Sequence, residues 1–279
     1  MKHIKLVTDS ACDPVDELVS SGRFKRVPLA ILLGDREFVD DESLNVQDLL
    51  DEMKKSGAGP KTSSPSPGDF MREFAGEDCV FAVTVSSRLS ASYSNAMLAA
   101  RMAIEDKLAR FVHVFDSKTA SVGQTLVNLK IIELIRKNCG ETEIVQKVTD
   151  YIKSQKTYCL LESLDNLVKS GRLNKIVAKL SSVLSVRLIL AKTDEGTIEL
   201  ADKVRGAKRA LQRLVDIIAE KGEQFEEKIC GIAHVNCREK AEQLRDLILE
   251  RLKFKDVIIV NGAGITTVYG DQGGLVVAF

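Results

Sequence analysis

What most constrains this chain of 279 residues is an alternation. Short runs rich in β-branched and aliphatic residues take turns with longer stretches whose apolar side chains recur at helical spacing. That order favours an α/β fold. Residues 3–8, 26–33, 80–85 and 111–115 read as strands. Residues 93–107 and 124–137 read as helices; in the latter, Leu126, Leu129, Ile132 and Ile135 recur every third residue on one stripe. Residues 141–155 add an amphipathic helix with Ile144, Val148 and Ile152 on one face.

The second half repeats the style with different parts. Residues 158–161 read as a strand and 174–184 as a helix. Residues 187–192 and 197–204 flank Asp194-Glu195-Gly196, a hairpin signal. Residues 206–220 and 238–252 read as helices, 229–235 as a strand, and 257–260 with 275–279 as strands that close the sheet. The expected organisation is two α/β domains, 1–156 and 157–279. The stretch 56–68, rich in Gly, Pro, Ser and Thr, reads as a surface loop.

Composition closes off other classes. The 40 Lys and Arg balance 40 Asp and Glu, so there is no basic excess for general nucleic-acid binding. A hydrophobic fraction of 44% with no net charge excludes a disordered chain. No apolar run approaches the roughly 20 residues of a membrane span, and the opening Met1-Lys2-His3-Ile4-Lys5 lacks a signal-peptide core, so a cytoplasmic location is expected. Cys12, Cys79, Cys139, Cys159, Cys230 and Cys237 form no Cys-x-x-Cys pair and read as reduced thiols. The spacing of His, Cys and Asp offers no metal site.

Three strands end in polar clusters: Thr8-Asp9-Ser10, Ser86-Ser87 and Asp116-Ser117. Ligands of open parallel sheets bind outside the carboxyl ends of the strands, so adjacent strands would bring these clusters to one edge. The same residue types are also preferred helix caps, and either role fits them. Lys61-Thr62-Ser63-Ser64-Pro65-Ser66 offers further hydroxyls suited to a carboxylate or phosphate, and it lacks P-loop spacing. Ser90, in Ser87-Arg88-Leu89-Ser90-Ala91-Ser92, leads into a helix, where a cap and an anion-binding role are both open.

Nucleophilic catalysis has little support, because no G-x-S-x-G elbow is present. A serine-type acyl hydrolase using Ser90 and His234 remains one alternative. A sensor or binding module for another small anion is a second. Gly262-x-Gly264 follows a strand, but Thr267 stands where a dinucleotide fingerprint needs its third glycine.

In this order the motifs resemble the DegV family of bacterial fatty-acid-binding proteins over essentially the whole chain. Val7-Thr8-Asp9-Ser10 opens the match, and Thr62-Ser63-Ser64-Pro65-Ser66 is similar to the family's T-S-Q-P-S. Ser86-Ser87-Arg88-Leu89-Ser90-Ala91-Ser92-Tyr93 resembles S-S-x-L-S-G-T-Y. Asp116-Ser117, Leu167–Leu173 and Val204-Arg205-Gly206 resemble D-S-x-x-x-S-x-G, L-x-x-G-G-R-I and V-R-G.

The resemblance implies two α/β domains with a lipid tunnel and a head-group site near their interface. It implies a long-chain fatty acid whose carboxylate contacts Thr62, Ser63 and Ser90. It also implies a separate ATP-dependent fatty acid kinase as partner, with the binding protein carrying the acyl phosphate and not itself an enzyme. No cofactor is implied, and transient membrane contact fits such a role. Thr8, Asp9, Ser10, Asp116, Ser117, Arg172, Arg205, His234 and Tyr269 are the further candidates for pocket or kinase contact. Tyr269 stands at the family's His position, where it donates a hydrogen bond but carries no imidazolium charge. Small residues and Met at Ala99-Ala100-Arg101-Met102-Ala103 suit either acyl-chain room or ordinary helix packing.

Overall fold

The computed structural model of the protein describes residues 4–56, 59–173 and 186–279. The expected helix over 174–184 lies outside them, as do residue 3 of the first expected strand and residues 57 and 58 of the expected loop.

In the first half, β1 (Ile4–Asp9), β2 (Phe24–Val27), β6 (Glu77–Thr84) and β7 (Ala109–Asp116) form a parallel sheet in the order β2-β1-β6-β7. Successive side chains point to opposite faces of a strand, so each strand feeds two cores. Val7, Val80 and Ala82 meet α3 (Pro67–Phe74) and α4 (Ser92–Glu105) through Phe70, Phe74, Ala96 and Ala99. Leu6, Phe81 and Val83 meet α5 (Val122–Arg136) and α6 (Glu141–Ser154) on the other face. The alanines of α4 thus take the packing alternative: they seat the helix on the sheet.

The second half builds a mixed sheet from β8 (Thr157–Leu160), β9 (Val186–Lys192), β10 (Ile198–Arg205), β11 (Ile229–His234), β12 (Asp256–Asn261) and β13 (Leu275–Ala278). Its order is β10-β9-β8-β13-β11-β12, and only β11 and β12 run parallel. The β9–β10 turn uses Gly196 at φ 86°, as the hairpin signal requires. α8 (Ala207–Lys221) and α9 (Arg238–Arg251) cover one face through Leu214, Ile218, Leu244 and Ile248. The other face, through Ala233, Val276 and Ala278, packs on α5. α5 is therefore clamped between two sheets, and it is apolar over most of its circumference for that reason.

Three expectations change. The run 26–33 is two strands, because Pro28 has no N–H to give a ladder. β2 stays in the parallel sheet, while β3 (Ala30–Leu33) joins β4 (Arg36–Val39) and β5 (Lys61–Ser63) in a small antiparallel sheet. The stretch 56–68 holds β5 and the start of α3. Pro67 sits at the first helical position of α3, and Ser66 and Asp69 form a reciprocal capping box. Finally, β13 lies inside the second sheet between β8 and β11 and does not close it.

Four further helices among the described residues are additions to the expected set, and α1 (Asp16–Val19) is a single turn with no period to read. α2 (Val46–Lys55) starts at Asn45, whose side chain accepts from Gln47 N and Asp48 N. α7 (Asp165–Lys169) and α10 (Gly264–Gly270) are too short to show one. Among the described residues no helix is long and apolar enough to cross a membrane.

Candidate functional site

The three polar strand ends belong to neighbouring strands β1, β6 and β7 and do converge. Their side chains are largely consumed in holding the fold. Thr8 Oγ1 donates to Val83 O at 2.8 Å. Asp9 accepts from Val85 N at 2.9 Å and from Gln124 Nε2 at 2.9 Å; burial pushes its carboxyl up to about 6. Ser10 Oγ accepts from Leu29 N at 2.9 Å. Asp116 accepts from Ser87 N and Lys118 N and pairs with Lys118 Nζ at 2.9 Å, while Ser117 exchanges bonds with Thr119. None of these five side chains lines the main cavity, and among the described residues none of them caps a helix; they tie strand ends and loops to one another.

That cavity opens beyond this edge, between the first sheet and the second. It encloses about 120 Å³, room for roughly ten water-sized positions. Leu29 and Val85 contribute from the first half; Leu161, Leu167, Leu190 and Ile265 contribute from the second. Among the described residues of the lining, Tyr269 is the one aromatic and none is acidic.

A polar group stands in this apolar wall. Thr62, midway along β5, places Oγ1 2.8 Å from the hydroxyl of Tyr269 on α10. Each hydroxyl has one proton, so one of the two donates to the other and the second is left a proton to give elsewhere. Ser63, next along β5, alternates outward, is exposed and does not reach the cavity. Ser90 Oγ lies 3.1 Å from Ser92 Oγ and accepts from Ser92 N at 3.2 Å. Ser92 is a partner of the Asp9 carboxylate, so the buried acid of β1 acts on the site one residue removed. Arg172 donates Nε to Leu89 O at 3.1 Å and Nη1 to Ser170 O at 2.9 Å, and its Cζ sits 5.8 Å over the Tyr269 ring. Two carbonyls and a ring face thus fix the guanidinium while leaving its charge unneutralised.

The helix that carries Tyr269 is held in a way no local signal announced. Asp13 accepts from Ala263 N at 2.7 Å, Thr266 Oγ1 at 2.9 Å and Ser121 Oγ. Asp40 accepts from Gly264 N at 2.8 Å and Ile265 N at 3.0 Å. Two carboxylates from the first half therefore satisfy the orphan N–H groups that open α10 in the second. Gly264 makes this approach possible: a Cβ there would fall 2.4 Å from Leu44 Cδ2 and 2.6 Å from Asp40 Oδ1. The glycines after β12 serve helix docking. Burial pushes the Asp13 carboxyl up to about 6 and raises that of Asp40, opposed there by the Arg26 guanidinium 3.6 Å away.

His234 and Arg205 stand apart. His234 ends β11, is buried, and takes Cys237 N on Nδ1 at 3.4 Å. It lines a separate surface depression with Gln47, Asn236 and Arg238, where burial and Arg238 lower its pKa. Ser90 and His234 share no wall and no hydrogen bond, so the arrangement offers no nucleophile–base pair. Arg205 ends β10 exposed, away from the cavity lining.

Comparison with known proteins places this geometry among relatives. The DegV family model matches residues 3–278. A DegV domain-containing protein of Streptococcus gordonii is 32% identical over 277 residues, 99% of this chain and 98% of that protein. A DegV family protein from Ruminococcus gnavus, refined with vaccenic acid, is 35% identical with a TM-score of 0.94 over 99% of both chains. The Streptococcus pneumoniae fatty acid kinase (Fak) B3 protein, loaded with linoleic acid, is 31% identical with a TM-score of 0.91 over 99% of both chains. A DegV family protein from Eubacterium eligens, loaded with heptadecanoic acid, is 29% identical with a TM-score of 0.91, covering 99% of this chain and 98% of that one.

Proposed function

This chain belongs to the DegV family, and on that footing we propose that it binds a long-chain fatty acid and presents the carboxylate to a separate fatty acid kinase. The observation that carries the reading is an apolar, acid-free cavity into which the Thr62–Tyr269 hydroxyl pair, Ser90 and Arg172 all face. The acyl chain occupies the aliphatic lining. The carboxylate takes the spare proton of the Thr62–Tyr269 pair, the hydroxyl of Ser90 and the field of Arg172. About 15 buried methylenes contribute roughly 12 kcal/mol. Association and ordering remove several kcal/mol of that, so the neutral hydroxyls need only fix the head.

In this reading the protein is a carrier and not the catalyst. The kinase supplies ATP; a carboxylate oxygen attacks the γ-phosphorus, the bond to ADP breaks, and the acyl phosphate stays in the protein. The units 1–156 and 157–279 belong to the same proposal, with the lipid held at their seam. So do a cytoplasmic location and passing contact with the membrane that supplies or receives the lipid.

The test begins with lipid extracted from the native protein and identified by mass spectrometry. The loaded protein is then incubated with ATP, a purified fatty acid kinase and hydroxylamine. A stoichiometric fatty acid and a kinase-dependent hydroxamate are expected. Absence of bound or exchangeable fatty acid overturns the carrier reading. Bound fatty acid without hydroxamate overturns the kinase partnership.

A further inference from the structure

Outside the head group lies an open depression of about 580 Å³ that shares Leu89, Ser90 and Arg172 with the cavity. We infer that this depression is a phosphate subsite, which receives the phosphoryl group once the bound acid is phosphorylated, with Arg88 as its outer cation. The inference rests on the fatty-acid reading above and adds to it a place for the phosphoryl group and a residue, Arg88, that holds it.

The charges point this way. The whole chain is neutral, yet the depression presents Arg88 and Arg172 and, among the described residues, no acidic one. Arg172 is held by the carbonyls of Leu89 and Ser170. The exposed Arg88 guanidinium pairs with no carboxylate among the described residues. The nearby carboxylate, Asp116, is committed to Lys118 at 2.9 Å. Two cations thus line the depression together with Ser90, neither paired with a carboxylate among the described residues, and the start of α4 beside them carries no side-chain cap.

Size points the same way. A carboxylate is planar and nearly flush with its chain, and hydroxyls suffice for it. A phosphoryl group adds up to two negative charges and three acceptor oxygens beyond the carboxyl carbon. The main cavity, whose exposed wall is mostly apolar, hydrates them poorly, whereas the adjoining depression is open to water and offers two guanidiniums. The resemblance in sequence implied Arg172 and Arg205 as the basic residues near the mouth; in the fold Arg172 and Arg88 line the depression and Arg205 does not.

The test compares two ligands with the same chain, palmitic acid and hexadecyl phosphate, on wild type, Arg88→Ala and Arg88→Lys. The expected result is that Arg88→Ala weakens hexadecyl phosphate about tenfold and leaves palmitic acid unchanged. Arg88→Lys should recover part of the loss, and the difference should shrink as salt is raised. If palmitic acid binds but Arg88→Ala leaves hexadecyl phosphate unaffected, or weakens both ligands alike, the subsite is overturned while the fatty-acid reading stands. If neither ligand binds wild type, the fatty-acid reading itself has failed.

Discussion

At the scale of single residues, the site works by proton counting. Thr62 and Tyr269 hold two protons and one mutual hydrogen bond, which leaves one proton for a carboxylate. Ser90 supplies another hydroxyl to the same cavity. Removing these donors leaves the aliphatic lining intact, so Thr62→Val combined with Ser90→Ala should weaken fatty-acid retention by on the order of 100-fold. The melting temperature of the unliganded protein should shift by only a few degrees. Dissociation followed by a fluorescent fatty acid checks this, and an unchanged off-rate would put the carboxylate elsewhere. Thr62 and Ser90 were legible because hydroxyls clustered near strand and helix ends are conspicuous in a sequence. Ser63 was misplaced because neighbouring residues of a strand face opposite ways, and a strand of three residues gives no alternation to read. Arg88 and Ser92 were in view, but their roles depend on which carboxylates lie near, and that is tertiary information.

At the scale of elements, α10 decides where Tyr269 sits, and two aspartates decide where α10 sits. A seven-residue helix between glycines has neither period nor cap of its own, so sequence reading passed over it. Its caps lie some 220 to 250 residues away in the chain, on Asp40 and Asp13. Burial gives this clamp a pH signature. The Asp13 carboxyl titrates near 6 in the folded protein against an ordinary 3.8. Between about pH 4 and pH 6 the folded state keeps a proton that the unfolded chain has released, so this group stabilises the fold less as pH rises through that window. The slope is about 1.4 kcal/mol per pH unit, and the contribution is level above the window. Asp13→Asn has no such slope. The melting temperature of the variant relative to wild type should therefore rise by several degrees from about pH 4.5 to about pH 6.5. A difference that stays flat across that range would show that Asp13 is ionised throughout and that its hydrogen bonds outweigh its burial.

At the scale of the whole molecule, the alternation of strands and helices correctly indicated α/β architecture, and the passage from α6 to β8 marks where the chain leaves one sheet for the other. The period of α5 suggested a helix with one apolar stripe, yet Gln124, Thr125, Leu126, Val127, Asn128 and Leu129 are all buried in succession. A periodic pattern reports the face that is most apolar; it does not report that the polar face is buried as well, against the strand ends of the first sheet. That side is polar because it reaches the strand ends: Gln124 Nε2 donates to Thr8 Oγ1 at 2.7 Å and Asn128 Nδ2 donates to the same hydroxyl at 3.4 Å. The apolar cluster around α5 runs without a break from Leu6 and Phe81 to Ala233, Val276 and Ala278. Residues 1–156 and 157–279 therefore share one core, whatever their separate sheets suggest. Cutting between them strips the second sheet from α5 and exposes Val122, Leu126 and Leu129 in the first fragment. Fragment 1–156 made alone should melt without a cooperative transition and bind a hydrophobic dye, and co-expression with 157–279 should restore a single cooperative melt together with lipid binding. A fragment 1–156 that melts cooperatively alone would mean that the first sheet and its helices suffice to fold, and that the second half docks onto α5 as an independent unit.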